Sequence, residues 1–148
     1  MKISVQREDF DHGAETKALY RHAGVGAVAS FVGIVRDVRM TLEHYAGMTE
    51  ASIRRIVEEA EKRWRVVDCT VIHRYGELAP HDQIVLVAVA SAHRGDAFAA
   101  CEFIMDYLKT QAPFWKKEHR PEGAAWVEAR ASDDEAAGRW EPPARKAG

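Results

Sequence analysis

The sequence predicts an α+β domain, with a mixed, largely antiparallel sheet and flanking helices. Short runs rich in Val and Ile, separated by turn residues, are typical of strands. Two longer stretches instead carry apolar residues at helical spacing. These strands and helices do not alternate regularly, which favours the α+β class over a doubly wound parallel sheet. Neither a Gly-rich dinucleotide fingerprint nor a P-loop is present.

Three strands and one helix are expected in the first third of the chain. Gly24 and Gly26 interrupt the chain before an apolar run. The next run alternates Leu42 and His44 with polar residues, as in a strand with one solvated face. The short charged segment 36–39 is expected to join antiparallel neighbours. In order, the expected elements are a strand over 3–6, a helix over about 12–22, and strands over 27–35 and 40–45.

Two long amphipathic helices are expected further along the chain. The first begins near Thr49, a favourable N-cap residue. Its apolar stripe consists of Ile53, Ile56, Val57, Ala60 and Trp64. The second covers about 96–110 and ends before Pro113, because the proline ring removes a backbone donor. Its inward-facing residues are expected to be Phe98, Cys101, Ile104, Met105 and Leu108.

The remaining elements suggest one domain followed by a tail. Strands are expected over 70–75, 83–92 and 125–129, the first two separated by turn residues. We place the domain at residues 1–132. Residues 133–148 form a polar tail that is expected to be mobile or to contact a partner.

Composition limits the function classes. The chain has 148 residues, and its formal net charge of −2 gives no global attraction for nucleic acid or an anionic membrane. The longest apolar run, 84–92, is about half the length of a membrane helix, and the N-terminus lacks a signal-peptide pattern. Cys69 and Cys101 have no metal or redox spacing. These features predict a cytoplasmic protein with reduced thiols.

Cationic residues lie next to the ends of expected strands and helices at three places. Arg36 follows a strand, the His93-Arg94 pair separates a strand from a helix, and the segment 109–118 leaves that helix. Such positions often carry function. Each residue also has an ordinary structural interpretation, as a surface charge or a helix-end cation.

The segment 109–118, KTQAPFWKKE, combines lysines with two aromatic residues. An apolar wall beside ammonium groups strengthens their attraction for a bound anion. The alternative is a buried Phe114-Trp115 anchor with lysines that face solvent. Residue types and spacing leave both interpretations open.

Five segments, in order, resemble one family. LEHYAGMTE, VIHRYGEL, SAHRG, FIMDYLKTQAPFWKKE and PEGAAWVEAR are similar to the large, catalytic subunit of molybdopterin synthase, the MoaE family. The resemblance covers about residues 26–130. It implies an α/β hammerhead-type domain and a homodimer within a heterotetramer.

The resemblance also implies an activity. A small ubiquitin-like sulfur-carrier subunit of the MoaD type brings sulfur as a thiocarboxylate on its C-terminal Gly-Gly tail. Two sulfurs pass to cyclic pyranopterin monophosphate and form the dithiolene of molybdopterin, which makes the chain a sulfurtransferase. Neither a metal nor another cofactor is implied for this step, and neither cysteine is required.

Position by position, the resemblance implies a set of site residues. Lys109 matches the principal catalytic lysine, and Lys116 matches a second functional lysine. The substrate-binding residues it implies, some of which act across a dimer interface, are Ile34, Val35, Arg36, His93, Arg94, Lys109, Lys116, Lys117, Glu118 and Arg130. The connection from Arg36 to Leu42 is shorter than in many family members, which could alter how the pocket is covered.

Two other function classes are also compatible with the sequence. One is a non-catalytic scaffold that binds a ubiquitin-like tail through the same groove. The other is an RNA or nucleotide binder, for which the acidic net charge gives little support.

Overall fold

The computed structural model describes residues 1–121, 123–127 and 131–141, and these form two four-stranded sheets and four helices. This arrangement confirms the predicted α+β class, with two sheets rather than the expected one. The strands are β1 (Lys2–Gln6), β2 (Ala27–Ile34), β3 (Met40–His44), β4 (Asp68–Arg74), β5 (Gly76–Leu78), β6 (Gln83–Ser91), β7 (Phe114–Arg120) and β8 (Gly123–Val127). The helices are α1 (His12–Leu19), α2 (Met48–Arg63), α3 (Arg94–Gln111) and α4 (Ala131–Gly138).

The first sheet has the order β1-β4-β6-β2 and holds the main core. Its β1–β4 pair is parallel, and its other two pairs are antiparallel. The central strands β4 and β6 are buried because α2 and α3 cover one face of the sheet, and Phe10 and Leu19 pack against the other. This core includes Val71, Val87 and Val89, each with no exposed surface.

The second sheet has the order β5-β3-β7-β8 and is antiparallel throughout. Side chains alternate between its two faces. Met40, Leu42 and Leu78 are buried on the inner face, where they cluster with Val35. Strand β7 was not predicted from the sequence, although its residues alternate regularly between these faces.

The connection between β2 and β3 differs from the prediction. Residues 36–39 do not join antiparallel neighbours, because β2 pairs with β6 in the first sheet whereas β3 pairs with β5 and β7 in the second. The connection therefore crosses from one sheet to the other. It places Arg36 at their junction.

The beginning of α2 also differs from the prediction. Gly47, with φ 82°, occupies the N-cap position, so Thr49 lies inside the first turn. The Thr49 hydroxyl is buried and donates to the Tyr45 carbonyl at 2.9 Å. The predicted stripe is confirmed for Ile53, Ile56, Val57 and Ala60, and Trp64 is partly buried against the same core.

Helix α3 buries most of the predicted residues, but the prediction for Phe98 was wrong. Cys101, Ile104, Met105 and Leu108 are buried, whereas Phe98 is 64% exposed. In the first turns, the small side chains of Ala97 and Ala100 form the buried face, and Phe98 lies beside that face.

Part of the predicted polar tail packs against the core. Ala137 of α4 is buried, and Trp140 lies 5.4 Å from the Trp64 ring and 5.7 Å from the Phe103 ring. The Trp140 indole N–H donates to Asp106 at 2.6 Å. Residues 142–148 lie outside the described residues, and the division of the chain at residue 132 stays a prediction.

Within the described ranges, no helix is long and apolar enough to cross a membrane. The cytoplasmic location stays a prediction.

Candidate active site

A cavity of about 420 Å³ lies where the two sheets meet the C-terminal end of α3. The β2–β3 connection, the inner face of β7 and the last turn of α3 supply its charged walls. Its lining consists of Ile34, Val35, Arg36, Asp37, Val38, Met40, Leu42, His73, Ile84, Leu108, Lys109, Ala112, Phe114, Lys116, Glu118, Arg120, Val127 and Asp133. Four cations and three carboxylates therefore share this lining with apolar side chains.

Strand β7 aims every second side chain into the cavity. Lys116, Glu118 and Arg120 share the inner face because side chains in a strand alternate with a period of two. Trp115 and Lys117 lie on the opposite face, where the Lys117 ammonium is 5.5 Å from the centre of the Trp126 ring. The two adjacent lysines of the sequence thus occupy opposite sides of the sheet.

Glu118 organises the cations of β7. Its carboxylate accepts from the Arg120 guanidinium at 2.8 and 3.1 Å and lies 3.4 Å from the Lys116 ammonium. The hydrogen bond from Arg120, followed by that from Lys116, lowers the pKa of Glu118 below its ordinary value of 4.5. An ionised Glu118 therefore fixes the Lys116 and Arg120 side chains along one wall.

Lys109 extends from the last turn of α3, opposite the β7 wall. The helix ends at Gln111 because Ala112, which precedes Pro113, is extended. Leu108 and Phe114 line the cavity beside Lys109, and this apolar surface increases the effective strength of nearby charges. The anion-site interpretation thus fits Phe114, whereas Trp115 is 40% exposed and packs edge-on against Tyr45 at 4.3 Å.

Arg36 completes the cationic lining from the β2–β3 connection. Its guanidinium is 3.2 Å from the Asp37 carboxylate, and both side chains are well exposed. An exposed ion pair of this kind contributes little to stability. Arg36 is therefore available to a bound anion without loss of an important structural contact.

His73 is a cavity residue that was not predicted from the sequence. It lies on β4, is 9% exposed, and stacks on Phe114 with ring centres 3.7 Å apart and planes 18° apart. Burial, with smaller contributions from the Lys109 and His44 charges, lowers its pKa from 6.5 to about 4, against the effect of a backbone hydrogen bond. The sequence feature that could have identified His73 is a single histidine on the strand face that also carries Cys69 and Val71.

Arg120 and Asp133 were also missed. Arg120 would follow from the alternation of β7, had that strand been recognised. Asp133 belongs to α4, within the segment that was expected to be a tail. Its side chain is the third carboxylate of the cavity lining.

A second cavity, of about 330 Å³, adjoins the first on the β2 side. The two share Ile34, His73, Ile84, Leu108 and Lys109. The second is otherwise lined by apolar residues and Gly33. His73 and Lys109 therefore lie at the boundary between a charged cavity and an apolar one.

The structure brings together six of the expected site residues but separates others. Ile34, Val35, Arg36, Lys109, Lys116 and Glu118 line the main cavity. His93 and Arg94 are exposed at the other end of α3. Since an α-helix rises about 1.5 Å per residue, Arg94 is roughly 22 Å from Lys109 along the axis. Lys117 faces away, and Arg130 lies outside the described residues.

The two cysteines are structural. Both thiols are buried, and Cys101 approaches the Val87 carbonyl oxygen at 3.7 Å. Burial raises the pKa of Cys101 to about 12 and also raises that of Cys69. The interpretation of Cys101 as a core residue is confirmed. Among the described side chains, no group of three or more His, Cys, Asp or Glu could hold a metal ion.

Comparison with known proteins gives consistent matches. The model of the family described as "MoaE protein" matches residues 5–111. The molybdopterin synthase catalytic subunit of Ralstonia nicotianae is 60% identical, over 93% of this chain and 83% of that protein. The solved structure of the molybdopterin biosynthesis MoaE protein from Burkholderia ambifaria is 56% identical, with a TM-score of 0.83, over 95% of this chain and 98% of that one. Molybdopterin synthase from Staphylococcus aureus is 30% identical, with a TM-score of 0.78, over 84% of this chain and 95% of that one.

Proposed function

The chain belongs to the MoaE protein family, and from this premise we propose that it is the catalytic subunit of a molybdopterin synthase. It is then one component of an enzyme that builds the molybdenum cofactor. In finer detail, it is a sulfurtransferase. It moves two sulfurs from the thiocarboxylated C-terminal Gly-Gly tail of a small ubiquitin-like subunit to cyclic pyranopterin monophosphate, forming the dithiolene.

The observation that carries this proposal is the cationic cavity at the end of α3. Both reactants are anions, since one carries a thiocarboxylate and the other a cyclic phosphate. Arg36, Lys109, Lys116 and Arg120 offer positive charge beside apolar side chains, which make attraction for anions stronger than in water. Arginine matches phosphate oxygens with its planar fork, whereas lysine acts as a mobile point charge.

Lys109 has the central role in the proposed chemistry. When the thiocarboxylate sulfur attacks a substrate carbon, negative charge develops on a substrate oxygen. The Lys109 ammonium stabilises that charge and donates a proton to the oxygen as its bond to carbon breaks. Water then cleaves the thioester between the sulfur and the tail carbonyl, so that the carrier leaves as a carboxylate and the sulfur stays on the pterin. Lys116, held by Glu118, supports the same charge from the β7 wall.

His93 and Arg94 enter this scheme from a second protomer. They are exposed and roughly 22 Å from Lys109 within one chain, which is too far for direct contact with one small substrate. A homodimer in which the start of one α3 approaches the cavity of its partner brings the two groups together. We assign His93 and Arg94 to substrate binding in that partner's cavity.

Lys109→Ala tests the catalytic role. With thiocarboxylated partner and pterin substrate, the variant should form no detectable dithiolene, although its melting temperature and partner binding match those of the wild type. Near-normal turnover would contradict the role of Lys109. Wild-type chain that binds the partner but neither binds nor converts the pterin would instead indicate a scaffold.

Subunit mixing tests the shared cavity. Lys109→Ala and Arg94→Ala chains are each inactive as homodimers under the proposal. In a mixed dimer, one cavity carries both substitutions and the other carries neither, so activity should reappear on mixing. Continued inactivity, with mixed dimers verified by native mass spectrometry, would show that each cavity is built from one chain.

A further inference from the structure

Asp133 lies at the main cavity because α4 packs along α3. The end of α4 is held at the middle of α3, where the Arg139 guanidinium contacts Glu102 and donates to Asp106 at 2.8 Å. The Trp140 indole N–H donates to the same Asp106 carboxylate at 2.6 Å. These contacts anchor α4 at one end, and its other end, with Asp133 in the first turn, borders the cavity.

The lengths of the two packed segments agree with this placement. From Arg139 back to Asp133, and from Asp106 on to Ala112, the chain covers six residues, or roughly 9 Å at 1.5 Å per residue. Antiparallel segments of equal length bring Asp133 level with Ala112, which also lines the cavity. The Asp133 side chain is half-buried, so it is a fixed part of the lining rather than a solvated end of the chain.

The other two carboxylates of the cavity lining are engaged by neighbouring cations. Glu118 accepts two hydrogen bonds from Arg120, at 2.8 and 3.1 Å. The Asp37 carboxylate lies 3.2 Å from the Arg36 guanidinium. Within the described ranges, the Asp133 side chain makes no such contact. Asp133 is therefore the carboxylate of this lining that can accept hydrogen bonds from a ligand without losing an ion pair.

Asp133 also has an ordinary structural interpretation. An acidic residue in the first turn of a helix interacts favourably with the helix dipole, and α4 carries two such residues, Asp133 and Asp134. That interaction applies to both carboxylates. Of the two, only Asp133 lines the cavity, whereas Asp134 is exposed. The helix dipole therefore does not explain why a negative charge lies among four cations.

A carboxylate in this cavity is unfavourable for simple anions but suits a ligand with two different ends. It repels a phosphate group, which the surrounding cations attract. Lysine and arginine side chains are donors only, so they cannot accept hydrogen bonds from N–H groups of a ligand. A carboxylate accepts two parallel N–H groups, as it does from a guanidinium. The cavity thus combines donors for an anionic group with an acceptor for a donor edge.

We propose that Asp133 binds the aminopyrimidinone edge of the pterin substrate, and this inference rests on the proposed function. That edge carries the 2-amino group and the N3–H side by side, which matches the two oxygens of one carboxylate. The cations hold the phosphate at the other end of the substrate. A cavity of about 420 Å³ is within the size range of small-molecule sites. Asp133 is therefore a specificity residue that distinguishes a pterin phosphate from other phosphates.

Binding measurements in the absence of the sulfur-carrier subunit test this assignment without turnover. Asp133→Asn keeps the size of the side chain but replaces one acceptor oxygen with a donor amide. The Kd for cyclic pyranopterin monophosphate should rise by about 10- to 100-fold, as expected for the loss of a charge-assisted hydrogen bond. The Kd for inorganic phosphate should stay unchanged or fall, because the substitution removes a repelling charge.

Asp134→Asn is the matched control, because it removes the same charge from the same turn of α4 outside the cavity. It should bind both ligands as the wild type does, and melting temperatures verify that both variants are folded. An unchanged pterin Kd in Asp133→Asn, or an equal rise in Asp134→Asn, would overturn the assignment. Weakening of pterin and phosphate binding by the same factor in Asp133→Asn would also overturn it.

A substrate analogue provides a second measurement that needs no variant. An analogue in which a carbonyl oxygen replaces the 2-amino group lacks one of the two N–H donors that Asp133 is assigned to bind. The wild-type chain should bind this analogue about 10-fold more weakly than the substrate. Asp133→Asn should show a smaller difference between the two ligands, and equal affinity of the wild type for both would contradict the proposed contact.

The outcomes separate this inference from the proposed function. Sulfur transfer by the wild type, together with an unchanged pterin Kd in Asp133→Asn, would overturn the role of Asp133 alone. If the wild-type chain binds the pterin through Asp133 but transfers no sulfur, the proposed function fails and the assigned contact stands. A wild-type chain that binds no pterin would contradict both.

Discussion

The buried imidazole of His73 should make the stability of the folded chain depend on pH. Its pKa falls from 6.5 to about 4 on folding. Between these values the unfolded chain binds more protons than the folded chain, so the free energy of unfolding decreases as the pH falls. The linkage relation gives a loss of about 2 kcal/mol between pH 7 and pH 5 from this one group.

Urea unfolding at a series of pH values measures this effect. His73→Phe keeps the stack with Phe114 but removes the titrating group. The decrease in the free energy of unfolding between pH 7 and pH 5 should therefore be about 2 kcal/mol smaller than in the wild type, which gives a flatter slope. The matched variant His12→Phe makes the same substitution at an exposed position and controls for the replacement itself.

Equal slopes for the wild type and His73→Phe would refute the reasoning. That result would mean that His73 reaches solvent, or is protonated, in the folded chain. A flatter slope in both histidine variants would likewise remove the special role of burial at His73.

Three further predictions follow from other contacts. Lys116→Ala, which removes a cavity ammonium, should lower kcat by about 100-fold. The control Lys117→Ala should keep activity, because Lys117 lies on the opposite face of β7. Equal losses of activity in the two variants would contradict the strand register. Gly26→Ala should lower the melting temperature, because its new Cβ would lie 2.2 Å from a backbone carbonyl oxygen. The control Gly95→Ala has open space and should stabilise α3 by up to about 1 kcal/mol. Trp140→Ala should lower the free energy of unfolding by about 2 kcal/mol, which is less than the loss for a fully buried tryptophan. An unchanged free energy of unfolding would show that α4 does not pack on α3.

Local patterns predicted the central elements of the fold well. The buried stripe of α2 follows a period of 3.6, and the apolar run of β6 has no solvated face, so both could be recognised from neighbouring residues alone. The errors arose where long-range pairing decides. The division into two sheets, and the crossing of segment 36–39 between them, depend on which strands pair.

The site could be predicted only in part for the same reason. The family resemblance selected Lys109 and Lys116, and the structure brings both into one cavity lining. Their catalytic roles stay a prediction. It could not show that Lys117 faces away, because that depends on recognising β7 as a strand. His73 escaped notice because its role depends on a tertiary stack with Phe114, 41 residues later in the sequence.

The most direct test of the proposed function is the mass of the pterin after reaction. Purified chain, thiocarboxylated partner subunit and cyclic pyranopterin monophosphate are mixed, and the product is analysed by mass spectrometry with the Lys109→Ala chain in parallel. We expect the wild-type reaction to yield a pterin that contains two sulfur atoms, and the variant to leave the substrate unchanged. A sulfur-free pterin from the wild type, or a two-sulfur product from both chains, would contradict the assignment of this cavity as the site of sulfur transfer.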